Sequence, residues 1–235
     1  EQGGAVHTSA SVAKIVESEG SATTLDVRLE DSESELREYD AVIAPTPSYV
    51  FTRLAPPMPE DYHNKLVGID YLSAVLMVLV MDRPFTNKYW MNIADSEVPF
   101  LGLIEHTNML PKEWYGGNNV LYITNYLDRS DALFKMSKDE LLDLYLPHLT
   151  KFNPEFDRSW IKAVHYNSVS AAQPIIGTNY SKVIPDHRTP IKRLYLANTT
   201  QVYPEDRGTN YSIRMGRELA TMILDDEKQG WANWR

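Results

Sequence analysis

Cysteine is absent from all 235 residues, which removes disulfides, thiolate metal sites and a cysteine nucleophile. That composition suits a reducing compartment, so a cytoplasmic location is expected. No stretch approaches the roughly 18 uninterrupted apolar residues of a spanning helix, so no transmembrane segment is expected either. There is no basic run or Lys/Arg-rich arm, and the formal net charge of −9 argues against nucleic acid and anionic membrane surfaces. No G-x-S-x-G elbow or P-loop occurs, and the six histidines are scattered without ligand spacing, so no metal is expected. The fingerprint G-x-G-x-x-G is also missing, together with the strand–turn–helix that would carry it.

What is present is enough for one sizeable core or two smaller ones, with 43% hydrophobic residues. Residues 21–29 and then 34–44 read as strands around a charged turn at Glu30–Asp31–Ser32–Glu33. Ending in Asp40-Ala41-Val42-Ile43-Ala44-Pro45, they make a β-meander. Pro45, Pro47, Pro56, Pro57 and Pro59 mark a crossing into a second module. There Tyr71–Met81 reads as a long buried strand, followed by strands at Leu101–Glu105, Val120–Tyr126 and Ile161–Ser168. Ser137-x-x-Glu140 is a capping box ahead of Leu141, Leu142, Tyr145 and Leu149, and Asn153-Pro154 is read as starting a second short helix. Strands interleaved unevenly with helices predict an α+β fold with a mixed, largely antiparallel sheet covered by helices.

Residues 194–224 are the most informative segment. They read as a buried strand (Leu194 to Ala197), a polar loop (Asn198 to Gly208) and an amphipathic helix with Ile213, Gly216, Ala220, Ile223 and Leu224 on one face. The loop brings uncommitted N–H groups and a positive dipole end to the start of the helix, which suits a phosphate or an electron-rich ring. Most strand–loop–helix units bind nothing, and the wording of this one is what singles it out. It resembles the C-terminal flavin-binding segment of the FAD-dependent amine oxidase and protoporphyrinogen oxidase superfamily. Ala197 holds the family's Ala, Asn198 and Thr199–Thr200 replace its Gly and polar residues, and Gly216 holds the helical Gly. Likewise Glu1-Gln2-Gly3-Gly4-Ala5-Val6 with Val12-Ala13-Lys14-Ile15-Val16 resembles the family's "GG-x-V" passage, in which Val12 matches the position whose backbone pairs with adenine.

The resemblance implies an FAD cofactor held by Val12, Asn198, Thr199, Thr200, Gly208, Thr209 and Asn210. It also implies an incomplete FAD-binding domain, 1–47 as meander and 190–235 as strand–loop–helix, enclosing a substrate domain at 48–189. Since the family opens on the missing glycine fingerprint, the chain is expected to be the C-terminal part of a longer flavoprotein. Alone it would bind FAD weakly or not at all and be inactive, the missing N-terminal FAD-binding segment being its partner. Tyr71–Phe85 resembles the family strand ending in Pro-Phe, which puts Leu76 where amine oxidases carry the lysine that holds a water near flavin N5. That points to dehydrogenation of a C–C or C–N bond in a bulky substrate. The alternatives are a non-catalytic binding module or a redox-neutral sugar-nucleotide mutase-like enzyme. His106, Asn108, Gln173 and Tyr203 are the candidate substrate contacts, His106 and Asn108 lying in the polar cluster Glu105-His106-Thr107-Asn108; no catalytic residue stands out. For each, a structural hydrogen bond is the ordinary alternative. Asp206–Arg207 is read either as a substrate-ion contact or as a salt bridge fixing its loop. The pentapeptide Gly-Thr-Asn-Tyr-Ser occurs at 177 and again at 208 with unmatched flanks.

Overall fold

Alternating apolar positions build the first sheet of the computed structural model, which describes residues 3–29, 33–232 and 234. β1 (Ala10–Ser18), β2 (Ser21–Leu29) and β3 (Glu35–Glu38) form an antiparallel three-stranded meander. Ser18 pairs with Ser21, leaving the two-residue turn Glu19–Gly20 at φ 51° and 74°. Positive φ at both positions matches the twist of a tight hairpin. Glu1, Gln2 and the charged turn at Glu30–Asp31–Ser32 lie outside the described residues. The chain then departs from expectation. β4 (Val42–Ala44) does not extend the meander; it leaves for a different sheet. The proline-rich stretch after it is not a bare linker either. Pro47 and Pro59 stand immediately before α1 (Ser48–Leu54) and α2 (Glu60–Val67), where a residue without an N–H loses nothing and its fixed φ favours helix entry. Phe51, Tyr62 and Leu66 from these helices pack with Ile15, Ala22, Val42 and Ala44.

The middle segment forms a five-stranded sheet of β5 (Tyr71–Met81), β6 (Trp90–Asn92), β7 (Gly102–Glu105), β8 (Asn119–Leu127) and β9 (Ile161–Pro174), in the order β6-β7-β8-β5-β9. β5 and β8 pair antiparallel from Ser73 opposite Leu127 to Met81 opposite Asn119. A period of two then sends Val75, Met77, Leu79 and Met81 to one face, where they join Leu121, Ile123 and Leu127. Over that core lies α3 (Lys138–Leu149), contributing Leu141, Leu142, Tyr145 and Leu149. Its capping box is formed: Ser137 Oγ accepts from the Glu140 N–H, and the Glu140 carboxylate accepts from the Ser137 N–H at 2.9 Å. Ser137→Ala is expected to cost about 1 kcal/mol in a urea titration read by circular dichroism. No helix starts at Asn153-Pro154. There the Asn153 Oδ1 accepts from Glu155 N–H and its amide donates to the Phe85 carbonyl at 2.8 Å, which makes a turn instead.

β10 (Leu194–Leu196) pairs parallel with β4, Leu194 opposite Val42 and Leu196 opposite Ala44. Leu194 and Leu196 face the meander side with Phe51 and Leu66, whereas Tyr195 faces α4 (Thr209–Lys228). The buried stripe of α4 is Leu219 with Met222, Ile223 and Asp226, so of the predicted face Ile223 alone turns inward. Ile213, Gly216, Ala220 and Leu224 are exposed, with Ile213 at 55% and Leu224 at 54%. The reason is a charged residue at the interface. Arg188 donates two hydrogen bonds to Asp226 at 2.8 Å and the Tyr195 hydroxyl a third at 2.7 Å, turning a nominally polar position inward.

Two compact units result, 1–70 with 174–235 and 71–173. Residues 48–70 and 174–189 therefore pack with the unit that holds the meander and β10. The buried side chains of α1 and α2 are what bind 48–70 there. Among the described residues, no helix is long and apolar enough to cross a membrane.

Candidate functional site

The loop between β10 and α4 is built around Asn198. Its Oδ1 accepts from Thr200 N–H at 3.0 Å and from the Thr200 hydroxyl at 2.5 Å, while its amide donates to the Thr46 carbonyl at 2.8 Å and reaches Ser48 Oγ at 3.3 Å. Gln201 closes the turn by accepting from the Asn198 N–H. Asn198 and Thr200 are thus buried, with side chains committed to the turn and to the end of β4, and Thr199 is the neighbour left at its surface. Downstream, Gly208 precedes α4, and no side chain caps the helix. The N–H groups of Thr209 and Asn210 have no backbone partner among the described residues, whereas Tyr211 and Ser212 already bond back to Gly208. A Cβ at Gly208 would clash only with Asn210 Oδ1, the end of an exposed side chain that can turn aside, and the Gly208 backbone at φ −84° suits any residue. Glu205 and Arg214, 2.7 Å apart, tie the loop to the helix. Asp206 instead accepts from the Arg207 N–H. Tyr203 is partly exposed, its ring 5.5 Å from that of buried Tyr180.

A cleft of about 310 Å³ opens beside this loop, lined by Ile43, Pro45, Ala197, Asn198, Thr199 and, on α4, Ser212, Met215, Gly216 and Leu219. It lies at the carboxyl ends of two parallel strands, the usual position for ligands on open α/β sheets. A second cleft of about 100 Å³, nearly all apolar, is lined by Val12, Ile15, Leu25, Ile43, Pro45 and Thr46 among others. The Thr46 hydroxyl is buried there without a hydrogen-bond partner. Val12 and the Asn198 loop thus sit on separate clefts that share Ile43 and Pro45, a division with no counterpart in sequence spacing.

In the other unit, Glu105, at the end of β7, is fully buried. Its carboxylate accepts from the Phe85 and Thr86 N–H groups at 3.1 and 3.3 Å and from the Thr107 hydroxyl at 3.4 Å. Burial pushes its carboxyl up to about 7, with these donors pulling the other way. Asn108 donates to the Thr86 and Lys88 carbonyls, which leaves only its oxygen uncommitted. His106 Nε2 lies 2.7 Å from the Tyr115 hydroxyl, and its ring packs edge-on against Tyr122. Tyr115 and Tyr122 were not anticipated, since contacts made by a strand pairing and a loop leave no local signal. Tyr122 belongs to the second face of the sheet, in a row of Trp90, Ile104, Tyr122 and Val78 across four strands. Leu76 stands opposite Thr124 in the adjacent row. On this face, away from α3, Val78, Ile104 and Tyr122 are half-buried and Trp90 is exposed. Gln173 is half-buried near the end of β9.

Residues 1–205 match the family described as flavin containing amine oxidoreductase. No curated protein matches the sequence. Among solved structures, the chain is similar to a putrescine oxidase redesigned for cofactor binding (the A394C-A396T-Q431G triple mutant). There the TM-score is 0.70 at 18% identity, covering 92% of this chain and 48% of that one. It is also similar to an oxidoreductase from Methanosarcina mazei, with TM-score 0.59 and 15% identity, covering 80% and 43%. For a reduced UDP-galactopyranose mutase the TM-score is 0.56 at 14% identity, covering 74% and 36%. Such identities establish a shared fold, and the chain spans less than half the length of each of these proteins.

Proposed function

Because the chain belongs to the flavin-containing amine oxidoreductase family, we propose that it is the C-terminal part of an FAD-dependent oxidoreductase that dehydrogenates a C–C or C–N bond in a bulky substrate. The observation that carries this reading is the uncapped N-terminus of α4, whose first turn reaches the 310 Å³ cleft at Ser212: no backbone group among the described residues bonds the Thr209 and Asn210 amides. Those residues fit a flavin. A positive helix end favours an electron-rich ring edge. A bound flavin would supply hydride acceptance. The chain's own part is to orient and to exclude water. Thr209 and Asn210 N–H groups hold the ring edge, Thr199 and Val12 flank the remainder of the cofactor, and the buried Asn198–Thr200 pair keeps the loop in shape. Within the unit 71–173, His106, Asn108 and Gln173 are the proposed substrate contacts. Tyr203 is the contact from the cofactor side. Leu76 can neither hold a water nor supply a positive charge, which favours dehydrogenation over amine oxidation with fast oxygen reduction. A cytoplasmic location belongs to the same reading.

The similarity to a UDP-galactopyranose mutase keeps a redox-neutral reaction as the second reading. Flavin retention tests the first step of both. The 235-residue chain and a polypeptide extended upstream to the relatives' length are purified, given FAD and desalted. The short chain is expected to emerge colourless and the extended one yellow with one flavin per chain. In the extended protein, Gly208→Val is expected to weaken FAD about tenfold, the cost of one amide hydrogen bond blocked by the branched side chain. An extended protein that stays colourless rules the proposal out. Net consumption of an electron acceptor during turnover separates oxidoreductase from mutase.

A further inference from the structure

Among the described residues, every partly buried arginine but one has a partner. Arg37 pairs with Glu35, Arg188 with Asp226, and the Arg193 guanidinium lies 5.0 Å over the Trp231 ring. Arg207 pairs with no carboxylate and lies over no ring, and its Nε is buried without a hydrogen-bond acceptor. A guanidinium stays charged at any ordinary pH, so covering one of its donors with nothing to accept from it is unfavourable. Such a group calls for an explanation, the more so in a chain with 32 acidic residues and a net charge of −9.

The acids closest to it in the chain are committed elsewhere. Glu205 accepts from Arg214 at 2.7 Å. Asp206 Oδ1 accepts from the backbone N–H of Arg207 at 2.8 Å, and the Asp206 carbonyl accepts from Gly208 N–H at 2.9 Å. That carboxylate serves the main chain rather than the Arg207 guanidinium, and the ion pair that fixes the loop is Glu205–Arg214. The start of the loop is anchored as well. The Tyr180 hydroxyl donates to the Thr200 carbonyl at 2.8 Å, and the Gln201 amide donates to the Pro185 and Leu196 carbonyls at 3.1 Å. Arg207 is thus presented by a loop held at both ends. Four residues before it, Tyr203 is 40% exposed, and just after it α4 begins with the positive end of a 20-residue helix.

We propose that Arg207 receives an oxyanion carried by the substrate, a carboxylate or a phosphate ester at one end of a bulky body that lies against Tyr203. The planar fork of a guanidinium accommodates either oxyanion through paired N–H···O bonds, which a point charge does not. This inference rests on the reading of the loop as the cofactor-side wall of a dehydrogenase's substrate site, and it adds the charge that the substrate bears.

The test is calorimetric titration of benzoate and of phenyl phosphate into the upstream-extended protein, with and without FAD, and into the 235-residue chain. One of the two is expected to bind the extended protein saturably at one per chain, and which one it is tells carboxylate from phosphate. Benzamide, the neutral counterpart, is expected not to bind. Arg207→Gln is expected to weaken the bound anion at least about tenfold, the effect of losing a charge-assisted hydrogen bond. Arg207→Lys, which keeps the charge without the fork, should fall between the two, and Arg217→Gln on the exposed face of α4 should change nothing.

Failure of both anions to bind overturns the proposal, as does binding indifferent to Arg207→Gln or equally reduced by Arg217→Gln. Inorganic phosphate binding as tightly as phenyl phosphate overturns it too, because the site would then hold an adventitious ion only. Binding to the 235-residue chain that disappears in the extended protein means that upstream polypeptide supplies the counter-ion, and again the proposal falls. An Arg207→Gln protein that releases FAD assigns the oxyanion to the cofactor's own phosphates, with the same result. Visible absorbance separates the two claims. A yellow protein that ignores both anions keeps the flavin reading and removes this one, and an anion bound through Arg207 in a protein that stays colourless does the reverse.

Discussion

Asp226→Ala is expected to be among the most damaging single substitutions in the molecule, lowering stability by about 3 kcal/mol. The side chain is 3% exposed and receives two hydrogen bonds from Arg188 and one from Tyr195. Truncation strands a guanidinium and a phenol together. Arg188 retains 39% exposure, so water rescues part of its loss, which places the cost at the lower end for a broken buried pair. Tyr195→Phe removes one neutral-to-charged hydrogen bond and is expected to cost about 1.5 kcal/mol. The Arg188 guanidinium, and then the Tyr195 hydroxyl, hold the Asp226 carboxyl below its ordinary value of 3.8. Its contribution is therefore complete above that pH and is lost as pH falls through the lower folded value. Urea midpoints of wild type and Asp226→Asn should differ at pH 7 and converge in strong acid. A constant difference down to the acid transition would show that the charge is not what binds α4 to β10.

Glu105→Gln is expected to act in the opposite pH direction. Burial raises this carboxyl from 4.5 to about 7 in the folded chain. The folded state then holds a proton that the unfolded chain has released, so stability declines as pH rises from 4.5 through 7. A displacement of that size corresponds to roughly 3 kcal/mol once the group is fully ionised. Glutamine keeps the acceptor for Phe85 and Thr86 and offers a donor to Thr107 without titrating. The variant should match wild type near pH 4.5 and exceed it by on the order of 3 kcal/mol at pH 8. Parallel stability curves for the two proteins would disprove the buried-acid account.

Strands with a strong alternating or continuous apolar pattern could be read directly. β5 spans Tyr71–Met81 as expected, and the capping box at Ser137 starts α3. Patterns that depend on a distant partner could not. β4 carries the same apolar run whether it continues a meander or joins a parallel pair, and only β10, some 150 residues on, decides. The inward face of α4 is not legible in the sequence because Asp226 is polar by composition and buried by its partners. The two Gly-Thr-Asn-Tyr-Ser copies make the same point. At 177 the Asn179 backbone is left-handed at φ 60° and Tyr180 is buried, whereas at 208 the same residues enter a 20-residue helix. Around the candidate site, the loop and the uncapped helix start were visible in the sequence. The commitment of Asn198 and Thr200 to each other, the orphaned Thr46 hydroxyl and the His106–Tyr115 contact were not, since each depends on packing between segments far apart in the chain.

The closure of β10 by residues 187–189, where Leu196 N–H donates to the His187 carbonyl and Thr189 N–H to the Leu194 carbonyl, also limits how this ladder can pair with copies of itself at high concentration. A sheet with two bare margins can stack copies without end, as fibrils do. With one margin sealed, any self-pairing through this ladder is a two-fold meeting of like with like and terminates at a dimer.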